Sequence, residues 1–217
     1  MLSATEIIQK RIAQEIRPGM LVNLGIGIPT GVTRYVTADG VLFQSENGLI
    51  GTGAPVPEGM EDTHLVDAGG GFVSAVPGAA SIDSAMSFAL IRGGHLDMTV
   101  LGGMQVDEQG HLANWMIPGQ KVAGMGGAMD LVSGARRVVV AMKHVAGGQP
   151  KLVKRCSLPL TSVRRVSLIV TDLAVIEPTD DGLVLRERAP GVSVEAILQQ
   201  TEAALVVPAN VPEMHLG

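Results

Sequence analysis

The glutamate at position 46 is the residue of this chain whose surroundings most suggest chemistry. Glu46 follows an apolar stretch from Val41 to Gln44 and precedes Asn47 and Gly48, a pair typical of a tight turn. A carboxylate in such a place could be held rigidly and aimed into a cleft. From spacing alone the more ordinary interpretation is favoured, because a glutamate at a strand end is usually a solvated surface residue.

Three glycine-rich segments follow predicted strands. They are Asn23 to Pro29, Ser45 to Gly53, and Gly124 to Ala128. In α/β proteins such loops gather at the carboxyl ends of the strands, where ligands bind. Backbone amides without bulky side chains beside them can approach an oxyanion or a phosphate. The same glycines could instead serve only to let strand-to-helix turns pack tightly.

The motifs of several common enzyme classes are absent from the sequence. No lysine follows a glycine, so the phosphate-binding loop of nucleotide hydrolases is missing, and no GxSxG nucleophile elbow occurs. Gly25 and Gly27 open a dinucleotide-binding pattern, but Thr30 stands where its third glycine should be. The five histidines are far apart in the sequence, and we therefore expect no metal site.

Five motifs spread along the chain resemble, in order and spacing, those of one enzyme family. They are Asn23-Leu24-Gly25-Ile26-Gly27-Ile28-Pro29, Phe43-Gln44-Ser45-Glu46-Asn47-Gly48-Leu49-Ile50-Gly51, Phe88-Ala89-Leu90-Ile91-Arg92-Gly93-Gly94-His95, Leu112-Ala113-Asn114-Trp115 and Gly124-Met125-Gly126-Gly127-Ala128-Met129-Asp130. The second contains Ser-Glu-Asn-Gly, which resembles the signature of the 3-oxoacid CoA-transferase family in its B-type, or beta, chain. The resemblance runs from about Arg11 to Val207. The segment Asp83 to Phe88 is most similar to the acetate/butyrate–acetoacetate branch.

The resemblance implies that Glu46 is the nucleophile. In that family a glutamate attacks an acyl-CoA thioester, which gives an acyl-glutamyl anhydride and then a glutamyl-CoA thioester. CoA is then transferred from the glutamate to a second carboxylic acid. This is covalent catalysis and predicts ping-pong kinetics. The resemblance makes the Gly127 N–H the candidate donor to the oxyanion, although a glycine needed only for a helix-start turn is equally consistent with the sequence.

The resemblance also suggests which residues bind the two substrates. For the carboxylic acid they are Asn23, Asn47, Gly48, Gly25 and Gly27, and for coenzyme A they are Gly69, Gly70 and Gly126. Several relatives carry lysine at the position of Gly70, so a direct ammonium contact to CoA is lost here. Coenzyme A is expected as a substrate, with no permanently bound cofactor.

The family's active enzyme needs a second chain of the A or alpha type, which these residues do not contain. We therefore expect a heterodimer or heterotetramer with such an alpha partner, whose site lies between chains and accepts acyl-CoA and small carboxylates, acetoacetate among them. Charged residues make up only 17% of the chain, which agrees with a surface partly covered by another chain. The alternative is a sugar-phosphate isomerase or a ligand-sensing module of the same broad fold, neither of which requires Glu46.

Composition limits the location and the other partners. A net charge of −5 argues against a nucleic-acid binder, and the longest apolar runs are too short to cross a membrane. The single cysteine, Cys156, cannot form an internal disulfide and fits a reducing compartment. We therefore expect a cytoplasmic protein without nucleic-acid or membrane partners.

The elements that must position Glu46 alternate along the sequence. The repeat of Ile8, Ile12 and Ile16 predicts an amphipathic helix that ends at Pro18–Gly19. Further helices are predicted near residues 30–35, 81–91, 128–133 and 194–200, with strands at 20–24, 41–44, 66–75, 98–101, 137–142, 167–171, 182–186 and 205–207. This pattern predicts an α/β fold: a single domain over residues 1–217, with a largely parallel central sheet flanked by helices.

Overall fold

The computed structural model describes residues 2–119 and 124–217. Within these ranges the helices are α1 (Ala4–Ala13), α2 (Ser84–Arg92), α3 (Ala128–Gly134) and α4 (Val194–Gln199), with a 3₁₀ helix at Pro29–Tyr35. The strands are β1 (Leu21–Leu24), β2 (Leu42–Ser45), β3 (Leu49–Pro55), β4 (Val73–Ser81), β5 (Met98–Gly102), β6 (Gln105–Asp107), β7 (Leu112–Ala113), β8 (Arg137–Ala141), β9 (Val145–Ala146), β10 (Gln149–Pro150), β11 (Leu152–Val153), β12 (Leu168–Val170), β13 (Ala174–Thr179), β14 (Gly182–Arg188) and β15 (Leu205–Val206).

Ten strands form one large sheet in the order β15-β14-β13-β12-β8-β5-β1-β2-β3-β4. The five central strands, from β12 to β2, run parallel, and antiparallel strands extend the sheet on both sides. The predicted α/β class with a largely parallel centre is confirmed. Since parallel strands point the same way, the loops after all five central strands meet at one edge, where α/β proteins bind their ligands.

The apolar core lies on both faces of the sheet, because the central strands are apolar on both sides. On β8, Val139 belongs to the cluster that contains Ile8 and Ile12 of α1. Its neighbour Val140 belongs to the opposite cluster, which contains Ile91 of α2. Successive strand residues therefore anchor helices on opposite faces, which makes the sheet a rigid support for the loops at its edge.

Helix α1 confirms the prediction made from the isoleucine repeat. Its first turn is closed by a capping box, in which Ser3 accepts a hydrogen bond from the Glu6 amide and the Glu6 side chain accepts one from the Ser3 amide. Ile8 and Ile12 are fully buried. The helix ends at Ala13, earlier than the predicted stop, and a turn leads to Pro18.

The predicted element map was wrong in several places, and the short strands β6, β7, β9, β10 and β11 were not predicted at all. The helix expected from Ser81 begins at Ser84, because Asp83 caps it by accepting a hydrogen bond from the Met86 amide at 2.8 Å. Ser81 instead ends β4, which pairs with β3 in an antiparallel hairpin that the prediction lacked. Strand β13 was also missed, since it contains a charged residue and a proline and is held between β12 and β14 by antiparallel pairing.

Candidate active site

Glu46 lies directly after β2, at the edge where the central parallel strands end. The residue is half-buried and lines two neighbouring cavities, of about 390 Å³ and about 100 Å³. The fold therefore places this carboxylate in a cavity wall. The spacing in the sequence alone had favoured an open surface position.

The buried amide of Asn23 holds the Glu46 carboxylate. Asn23 lies on β1, is fully buried, and donates a hydrogen bond from Nδ2 to Glu46 Oε2 at 3.0 Å. A hydrogen bond to an ionised acceptor is roughly twice as strong as one between neutral groups. One oxygen of Glu46 is thus fixed from inside the protein while the residue faces the cavities.

Three further polar side chains are buried behind Asn23. Thr99 Oγ1 donates to Asn23 Oδ1 at 3.2 Å, and Asn23 Nδ2 lies 3.0 Å from Gln44 Oε1. Gln44 Nε2 in turn donates to Ser87 Oγ of α2 at 2.7 Å. Thr99 stands in a stretch that reads as an ordinary buried strand, so nothing in its own sequence neighbourhood marks it. Only the pairing of β5 with β1 brings it to the site.

The larger cavity is lined largely by glycine backbone. Its glycines are Gly25, Gly102, Gly103, Gly124, Gly126 and Gly127, and Ile26, Met104 and Asn114 lie among them. Three glycine-rich loops, after β1, after β5 and before α3, therefore meet around Glu46. The loop after β5 was absent from the predicted set, because two adjacent glycines within an apolar sequence do not form a motif.

Gly127 has a specific reason to lack a side chain. A methyl group at this position would lie 3.2 Å from Glu46 Cγ and 3.2 Å from Phe88 Cζ. Its φ of −86° is open to any residue, so the requirement is for space and not for an unusual backbone. The backbone of Gly127 can therefore pack directly beside the glutamate side chain. Gly126, with φ +51°, completes the turn into α3.

The loop from Asp67 to Gly71 borders the smaller cavity and was expected to contact CoA. The amides of Gly69 and Gly71 donate to Asp67 Oδ1 at 2.8 and 2.9 Å, and the Gly70 amide donates to the Asp67 carbonyl oxygen at 3.0 Å. The three amides therefore already have an acceptor within the loop. A ligand beside Gly69 or Gly70 would meet the loop surface and not a set of free N–H donors.

Three other predicted residues lie outside the lining of the two cavities. The Asn47 side chain is exposed and donates from Nδ2 to the Val66 carbonyl oxygen at 2.8 Å. Gly48 has φ +126°, and a methyl group there would overlap the Ile82 carbonyl oxygen. Gly27, with φ +91°, lines a separate pocket with Gln9. Gly25 alone of the predicted acid-binding glycines lines both cavities.

His144 and Cys156 have strongly shifted pKa values, but neither lines a cavity with Glu46. Burial lowers the pKa of His144 to about 4, against a smaller opposing effect of the Asp172 carboxylate. Burial, with Asp107 nearby, raises the pKa of the Cys156 thiol to about 12. The imidazole is therefore neutral at pH 7, and the thiol is a poor nucleophile.

Two other kinds of feature are missing from the described part of the chain. Across residues 2–119 and 124–217, no three His, Cys, Asp or Glu side chains are grouped as metal ligands would be. No helix in those ranges has both the length and the apolar character needed to span a bilayer.

Comparison with known proteins adds the family. Residues 5–200 match the family described as coenzyme A transferase. The beta chain of an acetate CoA-transferase from Haemophilus influenzae is 48% identical over 218 residues, which cover 100% of this chain and 97% of the relative. A Bacillus subtilis protein, named as the B chain of a probable succinyl-CoA:3-ketoacid coenzyme A transferase, is 51% identical over 214 residues, covering 97% of this chain and 99% of the relative.

A solved structure supports the fold independently of close sequence similarity. The apoenzyme of an acyl-CoA transferase from Escherichia coli O157:H7 superposes with a TM-score of 0.78 at 23% identity, covering 100% of this chain and 44% of that chain. The motif order, the sheet and the full-length sequence match agree, and the chain belongs to the coenzyme A transferase family, in which it is of the B or beta type.

Proposed function

We propose that this chain is the glutamate-bearing half of a CoA-transferase that moves CoA between an acyl-CoA and a carboxylic acid such as acetoacetate. The observation that carries the proposal is the setting of Glu46. Its carboxylate is held by a fully buried asparagine and faces a cavity walled by glycine backbone. A ligand sensor would have no need for such a carboxylate, and a sugar-phosphate isomerase would use a carboxylate as a general base and not as a nucleophile.

The proposed reaction begins with attack of a Glu46 oxygen on the thioester carbonyl of the acyl-CoA. The C–S bond breaks, CoA leaves as the thiolate, and an acyl-glutamyl anhydride remains. The thiolate then attacks the Glu46 carbonyl, which releases the first acid as its carboxylate and leaves a glutamyl-CoA thioester. The second acid takes CoA by the same steps in reverse, so the two half-reactions are chemically matched and the kinetics are ping-pong.

A carboxylate suits this exchange better than a hydroxyl nucleophile. Anhydride and thioester links to Glu46 keep the acyl group activated, whereas an ester to serine would lose much of that activation. Each attack produces a tetrahedral oxyanion, and a well-placed amide donor contributes about 3 kcal/mol to its stabilisation. We assign this role to the Gly127 N–H, because the Gly127 backbone packs against the Glu46 side chain.

The proposed enzyme requires a partner of the A or alpha type. Both relatives described above are named as one chain of a larger enzyme, beta in one case and B in the other. Among the described residues that line the larger cavity, Glu46 is the only charged one. The substrates are anions, so these residues offer no positive charge to bind them. Two apolar residues of the same lining, Ile26 and Met125, are exposed in the single chain, Ile26 by 75%. A partner that covers this rim would exclude water and supply charge complementary to the substrates.

The relatives' names suggest the substrate class. One is named for acetate and the other for succinyl-CoA and a 3-ketoacid. We therefore propose short carboxylic acids, with acetoacetate as one of the pair and coenzyme A as the carried group. A cavity of about 390 Å³ is of the size that holds a small acid together with the reactive end of CoA.

The test is transfer activity of the reconstituted two-chain enzyme, measured with acetoacetyl-CoA and acetate. We expect Glu46→Ala to lower kcat by at least about a thousandfold, since it removes the atom that carries the acyl group and CoA. Glu58→Ala is the control, because Glu58 is an exposed glutamate outside both cavities, and it should keep wild-type activity. A Glu46→Ala enzyme with ordinary turnover would remove the proposed mechanism.

A further inference from the structure

Three polar side chains stand in a single row across adjacent strands of the sheet. The register pairs Asn23 of β1 with Thr99 of β5 on one side and with Gln44 of β2 on the other. All three are almost fully buried, and the most exposed of them, Gln44, has only 3% of its surface accessible. Polar residues in the middle of a parallel sheet are costly unless each finds a partner, so a row of three with consecutive hydrogen bonds demands an explanation.

The orientation of the Asn23 amide is set by neighbouring groups that can only accept hydrogen bonds. Nδ2 of Asn23 faces the Glu46 carboxylate and the Gln44 carbonyl oxygen, at 3.0 and 3.1 Å. Neither of these groups can donate, so the amino side of the Asn23 amide must point toward them. The amide oxygen then points toward β5, where it needs a donor in a fully buried position. The Thr99 hydroxyl, at 3.2 Å, is that donor.

The other end of the row is anchored in a helix. Gln44 Oε1 lies 3.0 Å from Asn23 Nδ2, whose two hydrogens are shared among this oxygen, the Gln44 carbonyl oxygen and Glu46 Oε2. Gln44 Nε2 donates to Ser87 Oγ at 2.7 Å. Ser87 is fully buried in α2, whose start is fixed by the Asp83 cap. The amide of Asn23 is therefore held on one side by strand β5 and on the other by β2 and α2.

We propose that Thr99, with Gln44 and Ser87 at the opposite end, is a positioning residue for the nucleophile: it orients the Asn23 amide so that Nδ2 donates to Glu46. We call the four residues Thr99, Asn23, Gln44 and Ser87 the Thr99–Ser87 row. Its two end residues, Thr99 and Ser87, line neither cavity beside Glu46. Thr99 therefore acts on the reaction only through Asn23. The proposal rests on the proposed function of Glu46. It predicts that the Thr99 hydroxyl, which contacts Asn23 and not Glu46, affects how fast Glu46 attacks the thioester.

The test compares Thr99→Val with Thr99→Ser in the complete two-chain enzyme. Valine keeps the shape of threonine and removes the hydroxyl, so Asn23 Oδ1 loses its donor. With saturating acetoacetyl-CoA and no acceptor acid, we expect CoA to add to Glu46 about tenfold more slowly in Thr99→Val. Thr99→Ser keeps the hydroxyl and should restore the rate to within about twofold.

A double-mutant cycle separates positioning from a general structural effect. If Thr99 acts through Asn23, Thr99→Val should slow adduct formation by less than about twofold in an Asn23→Ala background. Thr171→Val is the matched control, because Thr171 is equally buried at the same sheet edge but contacts His144. It should lower stability and leave the adduct rate unchanged.

The outcomes separate the positioning role of Thr99 from the nucleophilic role of Glu46. A Thr99→Val enzyme that forms the adduct at the wild-type rate, or that retains its tenfold loss in the Asn23→Ala background, would overturn the positioning role while leaving Glu46 as nucleophile. Absence of any adduct on Glu46 in the wild-type enzyme would overturn both. Should Thr99→Val fail to fold, Ser87→Ala tests the other end of the row. We expect a loss of about threefold there, and an unchanged rate would refute the proposal.

Discussion

Two buried polar networks lie at the same edge of the sheet, and they differ in where they end. The Thr99–Ser87 row passes through Asn23 to the Glu46 carboxylate in a cavity wall. The second network lies after β8 and β12, where the His144 ring nitrogens contact Thr171 Oγ1 at 2.9 Å and Thr201 Oγ1 at 2.8 Å. It consists of buried or half-buried groups and lines neither cavity beside Glu46.

The second network is internally satisfied. Thr201 Oγ1 donates to the Ile197 carbonyl oxygen at 2.7 Å, so it accepts from His144 Nε2. The one hydroxyl proton of Thr171 has a nearer acceptor in His144 Nδ1, at 2.9 Å, than in the Ala174 carbonyl oxygen, at 3.2 Å, so Nδ1 accepts it and the imidazole is neutral. The first network instead ends on an anionic acceptor that faces open space. Burial of polar groups at a sheet edge therefore does not identify a site, and what distinguishes one is a charged end that faces a cavity.

Apart from the loss of Glu46 itself, the largest effect should come from pH acting on the second network. The pKa of His144 is lowered by burial to about 4, while in the unfolded chain it stays near its ordinary value of 6.5. Between those values the unfolded chain takes up a proton that the folded chain refuses. The free energy of unfolding should therefore fall by about 3 kcal/mol as pH drops from 6.5 through 4.

This prediction is checked by denaturant unfolding of the wild-type protein and of His144→Gln across that pH range. The variant should show a flatter pH profile, because glutamine does not titrate and other groups are common to both proteins. Parallel profiles would mean that His144 is not buried as a neutral ring, and the contrast between the two networks would then disappear.

The next effect concerns the first network. Asn23→Ala removes the donor to the Glu46 carboxylate, and a hydrogen bond to a charged group contributes about 2 kcal/mol. We expect kcat of the two-chain enzyme to fall by about thirtyfold. The measurement is steady-state transfer from acetoacetyl-CoA to acetate, and an unchanged kcat would contradict the role of Asn23 in holding Glu46.

Thr201→Val should show the opposite behaviour. It removes a partner of the His144 ring and should lower the free energy of unfolding by about 1 kcal/mol, as for an ordinary buried hydrogen bond. Transfer activity of the folded enzyme should not change, because Thr201 lines neither cavity beside Glu46. A substantial loss of kcat would show that the second network also serves the reaction.

The smallest effect is expected for Gly127→Ala. The added methyl would lie 3.2 Å from Glu46 Cγ and must displace either the glutamate or the Phe88 ring by a few tenths of an ångström. We expect kcat to fall by about threefold with little loss of stability, since φ at Gly127 is ordinary. A larger loss of stability than of kcat would show that the glycine serves packing and not the position of Glu46.

The sequence predicted those parts of the fold whose signals are local. Ile8 and Ile12 predicted α1, and the apolar run after Arg137 predicted β8. The β3–β4 hairpin was missed because β4 is largely exposed, contains a proline and glycine, and lacks the alternation expected of a strand. Its pairing with β3 depends on contacts distant in sequence.

The candidate site likewise contains residues that local motifs predict and residues that depend on contacts distant in sequence. Glu46 and Gly127 stand in motifs and were predicted, and the fold brings them into contact range. Thr99 could not be predicted, because its role depends on the register of β5 against β1, which joins residues 76 positions apart. The use of the Gly69 and Gly71 amides by Asp67 was equally hidden, since a run of glycines in sequence does not show where its N–H groups point.

The nucleophilic role of Glu46 is tested most directly by the mass of the intact chain after the two-chain enzyme is mixed with acetoacetyl-CoA and no acceptor acid. We expect a CoA adduct on this chain, located on the peptide that carries Glu46, and its loss when acetate is added. An adduct on another residue, or transfer activity without any adduct, would contradict it.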